Sequence, residues 1–172
     1  ATLDVISGGR MELGIGAGWL RREYEAYGYD FPPMPVRLAQ LAEALRVVKL
    51  LWSGASVDFS GEHYRLRGAL CAPRPVQRPR PPILVGGGGD GLLAIAAAEA
   101  DVVNIVPPAS HGASDPQAVR RFTLERFRMK AARVRALAER AGRDPASLTV
   151  SAIFFVQLAE TGAKAQGFVG GL

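Results

Sequence analysis

Two runs of glycine hold the residues of this sequence best suited to chemistry. The first lies in the stretch ELGIGAGW, residues 12–19, where Gly14, Gly16 and Gly18 alternate with Leu13, Ile15 and Ala17. In the second, ILVGGGGDG at residues 83–91, three apolar residues are followed by Gly86, Gly87, Gly88 and Gly89. Glycine lacks the Cβ that would hold a flat ligand off the backbone, and glycine N–H groups at the start of a helix suit an anion. The alternative is a turn that needs glycine φ angles, and either stretch alone leaves both readings open. Each run closes an apolar segment and precedes a helix-like one. That is the grammar of parallel β/α units, whose ligand sites gather at the C-terminal ends of the strands.

Other chemistries find less support in the residue types. Cys71 has no histidine near it in sequence and reads as an ordinary, partly covered thiol. His63 and His111 offer no zinc-ligand spacing, so no metal is expected; His63 reads as a surface hairpin residue and His111 as a solvated loop residue. Gly86, Gly88 and Gly91 satisfy G-x-G-x-x-G, so a Rossmann-like nucleotide-binding domain is the alternative class. The acid expected about twenty residues further on is replaced by Val106 and Pro107, and Asp101 comes too early. No Lys-Ser/Thr pair follows the glycines, which removes the Walker phosphate loop.

Composition bounds the class. A chain of 172 residues with 48% hydrophobic and 22% charged residues suits one soluble globular domain. No apolar run reaches the roughly 18–20 residues of a membrane helix. The net charge of +5 is local: residues 115–143 carry nine Lys/Arg against three Asp/Glu, a +6 that leaves −1 for the rest. Without interleaved aromatics for base stacking, that helix reads as a solvated outer face, and no nucleic-acid or membrane partner is expected. A single cysteine fits a reducing, cytoplasmic compartment.

The elements that must position the glycines follow in order. Residues 1–6 end a helix that Ser7, Gly8 and Gly9 stop, a strand spans 10–18, and a short helix spans 20–27. Arg21, Arg22 and Glu23 stand near the strand end, although surface charge is their commoner role. Residues 27–35 hold three prolines and form a loop over the strand ends, with Tyr27, Tyr29 and Phe31 as wall or packing residues. Leu38, Leu41, Leu45, Val48 and Trp52 mark a helix over 36–53. Strands 57–60 and 63–66 make a hairpin, and the proline-rich 72–82 is an extended connector. Strand 83–85, helix 92–100 and strand 102–106 have the spacing of a right-handed crossover. Pro107 and Pro108 end the last strand; Ser114 or Asp115 caps a helix over 116–141, and an apolar strand spans 148–158.

The ordered segments LDVISGGRMELGIGAGWLRREYEAYG, LLWSG, FSGEHYRL, PRPVQRPRPPILVGGGG and AAAEADVVNIVP resemble the luciferase-like family of flavin- and deazaflavin-dependent oxidoreductases, which are TIM barrels. The resemblance covers residues 1–108 by segment and the remainder by pattern. It implies an α/β fold, a partial TIM (β/α)8 barrel, with ELGIGAGW, ILVGGGG, DVVNIV and LTVSAIFFVQ as strands four to seven. On this expectation residues 1–172 are one incomplete domain, with a hairpin and proline-rich insertion at 54–82. The initial Ala1 and the ending GFVGGL are likewise read as those of a fragment.

By the family's pattern Gly16, Ala17, Gly18 and Trp19 lie near the ring system or substrate. Gly86, Gly87, Gly88 and Gly89 then approach the cofactor's phosphate-bearing side. Sugar-phosphate dehydrogenases of the deazaflavin branch carry an acid where this chain has Trp19, which argues against that substrate class. Residues that bear the chemistry come largely from early strands, so no catalytic residue is assigned. The resemblance favours coenzyme F420, with FMN as the alternative, and implies hydride transfer or oxygen insertion on a small organic substrate, with this fragment alone inactive. A homo-oligomer is expected, because open strand edges and the apolar residues 150–155 invite association. A non-catalytic interaction module is the remaining alternative.

Overall fold

The computed structural model describes residues 1–107 and 121–153. In chain order the elements are α1 (Thr2–Ile6), β1 (Leu13–Ile15), α2 (Arg21–Ala26), α3 (Met34–Trp52), β2 (Val57–Ser60), β3 (Arg65–Ala69), β4 (Ile83–Gly87), α4 (Asp90–Glu99), β5 (Val102–Ile105), α5 (Leu124–Arg140), a 3-10 turn (Pro145–Ser147) and β6 (Thr149–Ala152). The main sheet has the order β1-β4-β5-β6, all parallel, and β2 and β3 form a separate antiparallel hairpin. Four parallel strands alternating with helices are the expected α/β arrangement.

Side chains alternate across a strand, and here the two faces have different fates. Ile83, Val85, Val103 and Ile105 are fully buried, in one cluster with Leu41 and Leu45 of α3, Leu93, Ala96 and Ala97 of α4, and Ala131, Val134 and Ala138 of α5. The alanines let α4 and α5 lie close, and Gly91 does the same for α3, since a Cβ there would come 2.8 Å from Leu38 Cδ1. On the opposite face Gly14 and Thr149 are exposed, and Leu84, Gly86, Val102, Asn104 and Ser151 are half-buried. The strands are therefore not covered equally on both sides.

Carboxylates tie the connections to this frame. Asp101 accepts from Ile83 N–H at 2.8 Å and pairs with Arg80, whose Nη2 lies 3.0 Å away. The same residue's main chain bonds Ile83 and Thr149, so it joins the starts of β4, β5 and β6. Asp4, fully buried, accepts from Val76 N–H at 2.8 Å, Gln77 N–H at 3.0 Å and Gln77 Nε2 at 2.6 Å. Glu43 of α3 accepts from the N–H groups of Glu62, His63 and Tyr64 at 2.8, 3.0 and 3.1 Å.

These latches explain several departures from the sequence expectations. The second hairpin strand begins at Arg65 rather than at residue 63, because Glu43 takes the N–H groups of 62–64 away from any ladder. Residues 72–82 bend instead of running straight: the Ala72–Pro73 and Arg78–Pro79 bonds are cis, and Asp4 anchors the middle. β1 is limited to Leu13–Ile15, since its ladder to β4 begins at Leu13 and Gly18 turns the chain at φ +72. The last long helix begins at Leu124, with Arg126 N–H donating to the Thr123 hydroxyl, so residues 121–123 do not continue a helix begun at 116. Pro108, His111, Ser114, Asp115, residues 116–120 and the expected continuation of β6 over 154–158 lie outside the described residues. Among the described residues no helix is long and apolar enough to cross a membrane.

Candidate ligand site at the strand ends

The two glycine runs leave β1 and β4 at the same end of the sheet and touch. Register pairs Ile15 with Val85, and a Cβ on Gly16 would lie 3.1 Å from the Gly86 carbonyl oxygen. Beyond Gly16 the chain is held tightly. Gly18 has φ +72, in the left-handed region, and a Cβ there would fall 2.0 Å from the Tyr24 hydroxyl oxygen.

Arg37 fixes this loop from α3. Only 7% exposed, its guanidinium donates from Nη1 to the carbonyls of Ala17 (3.4 Å) and Gly18 and from Nε to Pro32 O at 3.0 Å. The same group lies 4.0 Å over the Phe31 ring, which also meets Arg21 at 4.7 Å and the Tyr24 ring edge-on at 4.9 Å. Phe31 is thus a packing residue, whereas Tyr27 and Tyr29 are 77% and 70% exposed. Trp19, at the end of the run, is 48% exposed. Sequence reasoning missed Arg37, although a signal existed: Arg37, Leu41 and Leu45 recur every four residues, which puts the arginine on the helix's buried stripe.

The second run is built differently. None of Gly86, Gly87, Gly88 and Gly89 has a positive φ, so this is not a turn that demands glycine φ angles. At Gly87 a Cβ would come 2.6 Å from Leu92 Cδ2, so glycine there serves the packing of α4. At Gly86 and Gly89 nothing lies within 4 Å of the Cβ position. Gly88 is buried, and its carbonyl accepts from Lys130 Nζ of α5. Gly89 is the N-cap of α4, and no side chain caps that helix. Asp90 does not turn back to cap it; it pairs with Arg133 Nη2 at 3.1 Å. Gly89 and Asp90 at the start of α4 are exposed, with Lys130 on the Gly88 carbonyl and Arg133 paired to Asp90.

The remaining notable side chains stand elsewhere. Burial by itself would raise the pKa of Asp4, Glu43 and Asp101, yet in each the hydrogen bonds win and the value falls below the ordinary one. Gln77 and Val76 do this for Asp4, the N–H groups of 62–64 for Glu43, and Arg80 with Ile83 N–H for Asp101. All three are latches on connecting segments. His63 is half-buried rather than on the surface: Glu43 takes its main-chain N–H, and its Nε2 is buried without a hydrogen-bond partner. Cys71 is half-buried with a free thiol.

With this geometry in hand, a family model described as luciferase-like monooxygenase matches residues 1–167. The chain belongs to the luciferase-like monooxygenase family. Among curated luciferase-like relatives, an F420-dependent glucose-6-phosphate dehydrogenase of Kineococcus radiotolerans is 43% identical over 101 residues, covering 59% of this chain and 29% of that protein. An FMNH2-dependent dimethylsulfone monooxygenase of Pseudomonas putida is 31% identical over 101 residues, covering 59% of this chain and 28% of that protein. A pyrimidine monooxygenase of Cronobacter sakazakii is 32% identical over 151 residues, covering 86% and 40%. The chain thus spans well under half the length of these relatives.

Solved structures agree on the architecture. An F420-dependent secondary alcohol dehydrogenase in complex with an F420–acetone adduct superposes with TM-score 0.64 at 27% identity, covering 88% of this chain and 42% of that one. A coenzyme F420 dependent tetrahydromethanopterin reductase of Methanopyrus kandleri gives TM-score 0.74 at 24% identity over 96% and 46%, a likeness of fold alone. The structural neighbours are TIM-barrel luciferase-like enzymes, and the described residues supply four parallel strands against the eight of such a barrel. These relatives include F420-dependent and FMN-dependent enzymes alike.

Proposed function

We propose that this luciferase-like chain forms part of the cofactor wall of an oxidoreductase acting on a small organic substrate, with coenzyme F420 favoured over FMN. The observation that carries this reading is the meeting of the two glycine runs, where Gly16 lies against the Gly86 carbonyl and both residues present bare backbone on the helix-free face. The residues fit such a group at both its ends. A planar ring can approach Gly16 and Gly86 without meeting a Cβ, and the open positions at Gly86 and Gly89 leave space beside the uncapped N-terminus of α4 for a phosphate.

When bound, reduced F420 would supply a hydride, and reduced FMN would supply oxygen activation. The chain's own residues position and neutralise. Gly89 and the first N–H groups of α4 would hold the anion, and Lys130 donates to the Gly88 carbonyl. Arg133, paired with Asp90, would lessen the repulsion that Asp90 exerts on a phosphate. Arg37 keeps Ala17 and Gly18 in one conformation, so the half-exposed Trp19 offers a fixed apolar wall to the substrate. A bulky indole at Trp19, in place of an acid, disfavours a sugar-phosphate substrate. The residues that transfer protons are proposed to lie in the part of the longer relatives that this chain does not match.

Fluorescence titration tests the proposal, with FMN, riboflavin, F420 and its phosphate-free deazaflavin as probes. Binding of FMN or F420, tighter than its phosphate-free counterpart by about tenfold or about 1.4 kcal/mol, is expected, with the difference shrinking as salt is raised. No binding of any probe would overturn the reading.

A further inference from the structure

One row of residues across the strand ends holds two that the glycine runs do not account for. Gly86, Asn104 and Ser151 pair in register and are each the penultimate residue of their strand, β4, β5 and β6. Gly16 extends the row onto the end of β1. Asn104 and Ser151 are half-buried on the helix-free face, and Asn104 Nδ2 donates to Ser151 Oγ at 2.9 Å. Parallel strands ordinarily read as continuous apolar runs, and β5 otherwise does: Val102, Val103 and Ile105 surround the asparagine. Two polar side chains at one level, beside the strand ends where parallel sheets bind ligands, call for a partner beyond each other.

Their unfilled capacity says what that partner is. With Nδ2 given to Ser151, Asn104 keeps its Oδ1 as an acceptor, and the Ser151 hydroxyl keeps its hydrogen as a donor. An acceptor and a donor side by side complement a ring that carries N–H next to C=O. Neighbouring strands are ~4.8 Å apart, so a flat ring lying over Gly16 and Gly86 brings its edge to Asn104. We propose that Asn104 and Ser151 form a polar subsite that reads the imide edge of a pyrimidinedione ring. This rests on the cofactor reading above, because F420 and FMN both carry that edge; a free pyrimidine substrate carries it too.

Binding measurements on this chain and on its Asn104→Leu and Ser151→Ala variants separate the outcomes. The probes are FMN, F420, lumiflavin (the ring without the phosphate), D-ribitol 5-phosphate (the phosphate without the ring) and uracil. We expect Asn104→Leu to raise the dissociation constants of FMN, F420 and lumiflavin about tenfold, and Ser151→Ala about threefold, the worth of a neutral hydrogen bond. D-ribitol 5-phosphate should bind all three proteins alike. If uracil binding to the FMN-loaded chain weakens in both variants while FMN affinity holds, the subsite stands and its ligand is the free pyrimidine. Unchanged affinity for every ring-bearing probe, with circular dichroism intact, would overturn the subsite alone and leave an ordinary cross-strand pair. A wild-type chain that binds none of the probes would overturn the subsite and the cofactor reading together. Ser151→Ala removes a single oxygen, so it decides the matter even where Asn104→Leu fails to fold.

Discussion

The two glycine runs look alike in sequence, yet the structure uses them in opposite ways. Around Gly18 glycine serves conformation: φ is +72, the Tyr24 ring occupies the place of a side chain, and Arg37 grips the carbonyls on either side. Around Gly86 and Gly89 the backbone is one that any residue could adopt, and space stands open where a Cβ would go. A glycine that fills a structural need is explained by the fold. One that leaves room unfilled, beside an uncapped helix, is not explained by the fold, and under the proposed function that room takes the ligand.

This contrast is open to direct test. The largest effect should come from Gly18→Val, which adds left-handed strain to a collision with Tyr24; a loss of about 3–4 kcal/mol is expected in urea unfolding. Adding Tyr24→Ala should recover the collision and leave the strain. If Gly18→Val is neutral, the first run is not conformationally locked.

Arg37→Met comes next. It leaves the carbonyls of Ala17, Gly18 and Pro32 without their donor and removes the stacking on Phe31, for about 2–3 kcal/mol. Arg37→Lys should restore less than half of that, because an ammonium cannot span the fork. Full recovery by lysine would mean that charge alone holds the loop.

The second run should respond in the reverse sense. Gly89→Ala and Gly86→Ala are expected to leave stability within about 0.5 kcal/mol of the parent, or to raise it, since the unfolded chain loses freedom. FMN and F420 should nevertheless bind about tenfold more weakly, as the new methyl takes the ligand's space. Thermal melts and titrations on the same samples check both halves.

The smallest effect concerns acid. Asp4, Glu43 and Asp101 have folded-state pKa values below their ordinary 3.8, 4.5 and 3.8. Each therefore contributes stability that is complete above those ordinary values and disappears as pH falls through the lowered ones. Denaturation midpoints should hold steady from neutral pH to about 5 and decline below about 4. Glu43→Gln should make that decline shallower while leaving ligand affinity unchanged, because the hairpin it holds belongs to a separate sheet from both glycine-bearing strands.

Much of the architecture was legible because burial writes itself as period. Leu38, Leu41 and Leu45 announced α3, the apolar stretches before each glycine run announced β1 and β4, and the helix-strand alternation announced the parallel sheet. Where a distant carboxylate intervened, local pattern failed. The hairpin strand began late because Glu43 had claimed its N–H groups, and the proline segment bent because Asp4 seized its middle. Neither contact has a signature at short range, since the partners lie about twenty and seventy residues apart.

The sequence by itself determined the residue types of the site, two glycine-bearing strand ends in parallel β/α units, through chemistry that needs no coordinates: missing Cβ atoms and apolar runs that must be covered. Only the tertiary structure decided what each glycine is for. Whether the space beside a Cα is filled by Tyr24, by Leu92 or by nothing depends on elements brought from elsewhere in the chain. The same holds for Arg37, Lys130 and Arg133, which reach the site from helices, and for Asn104 and Ser151, which become neighbours only through the pairing of β5 with β6. Register is a property of two strands together, and one strand's residues cannot state it.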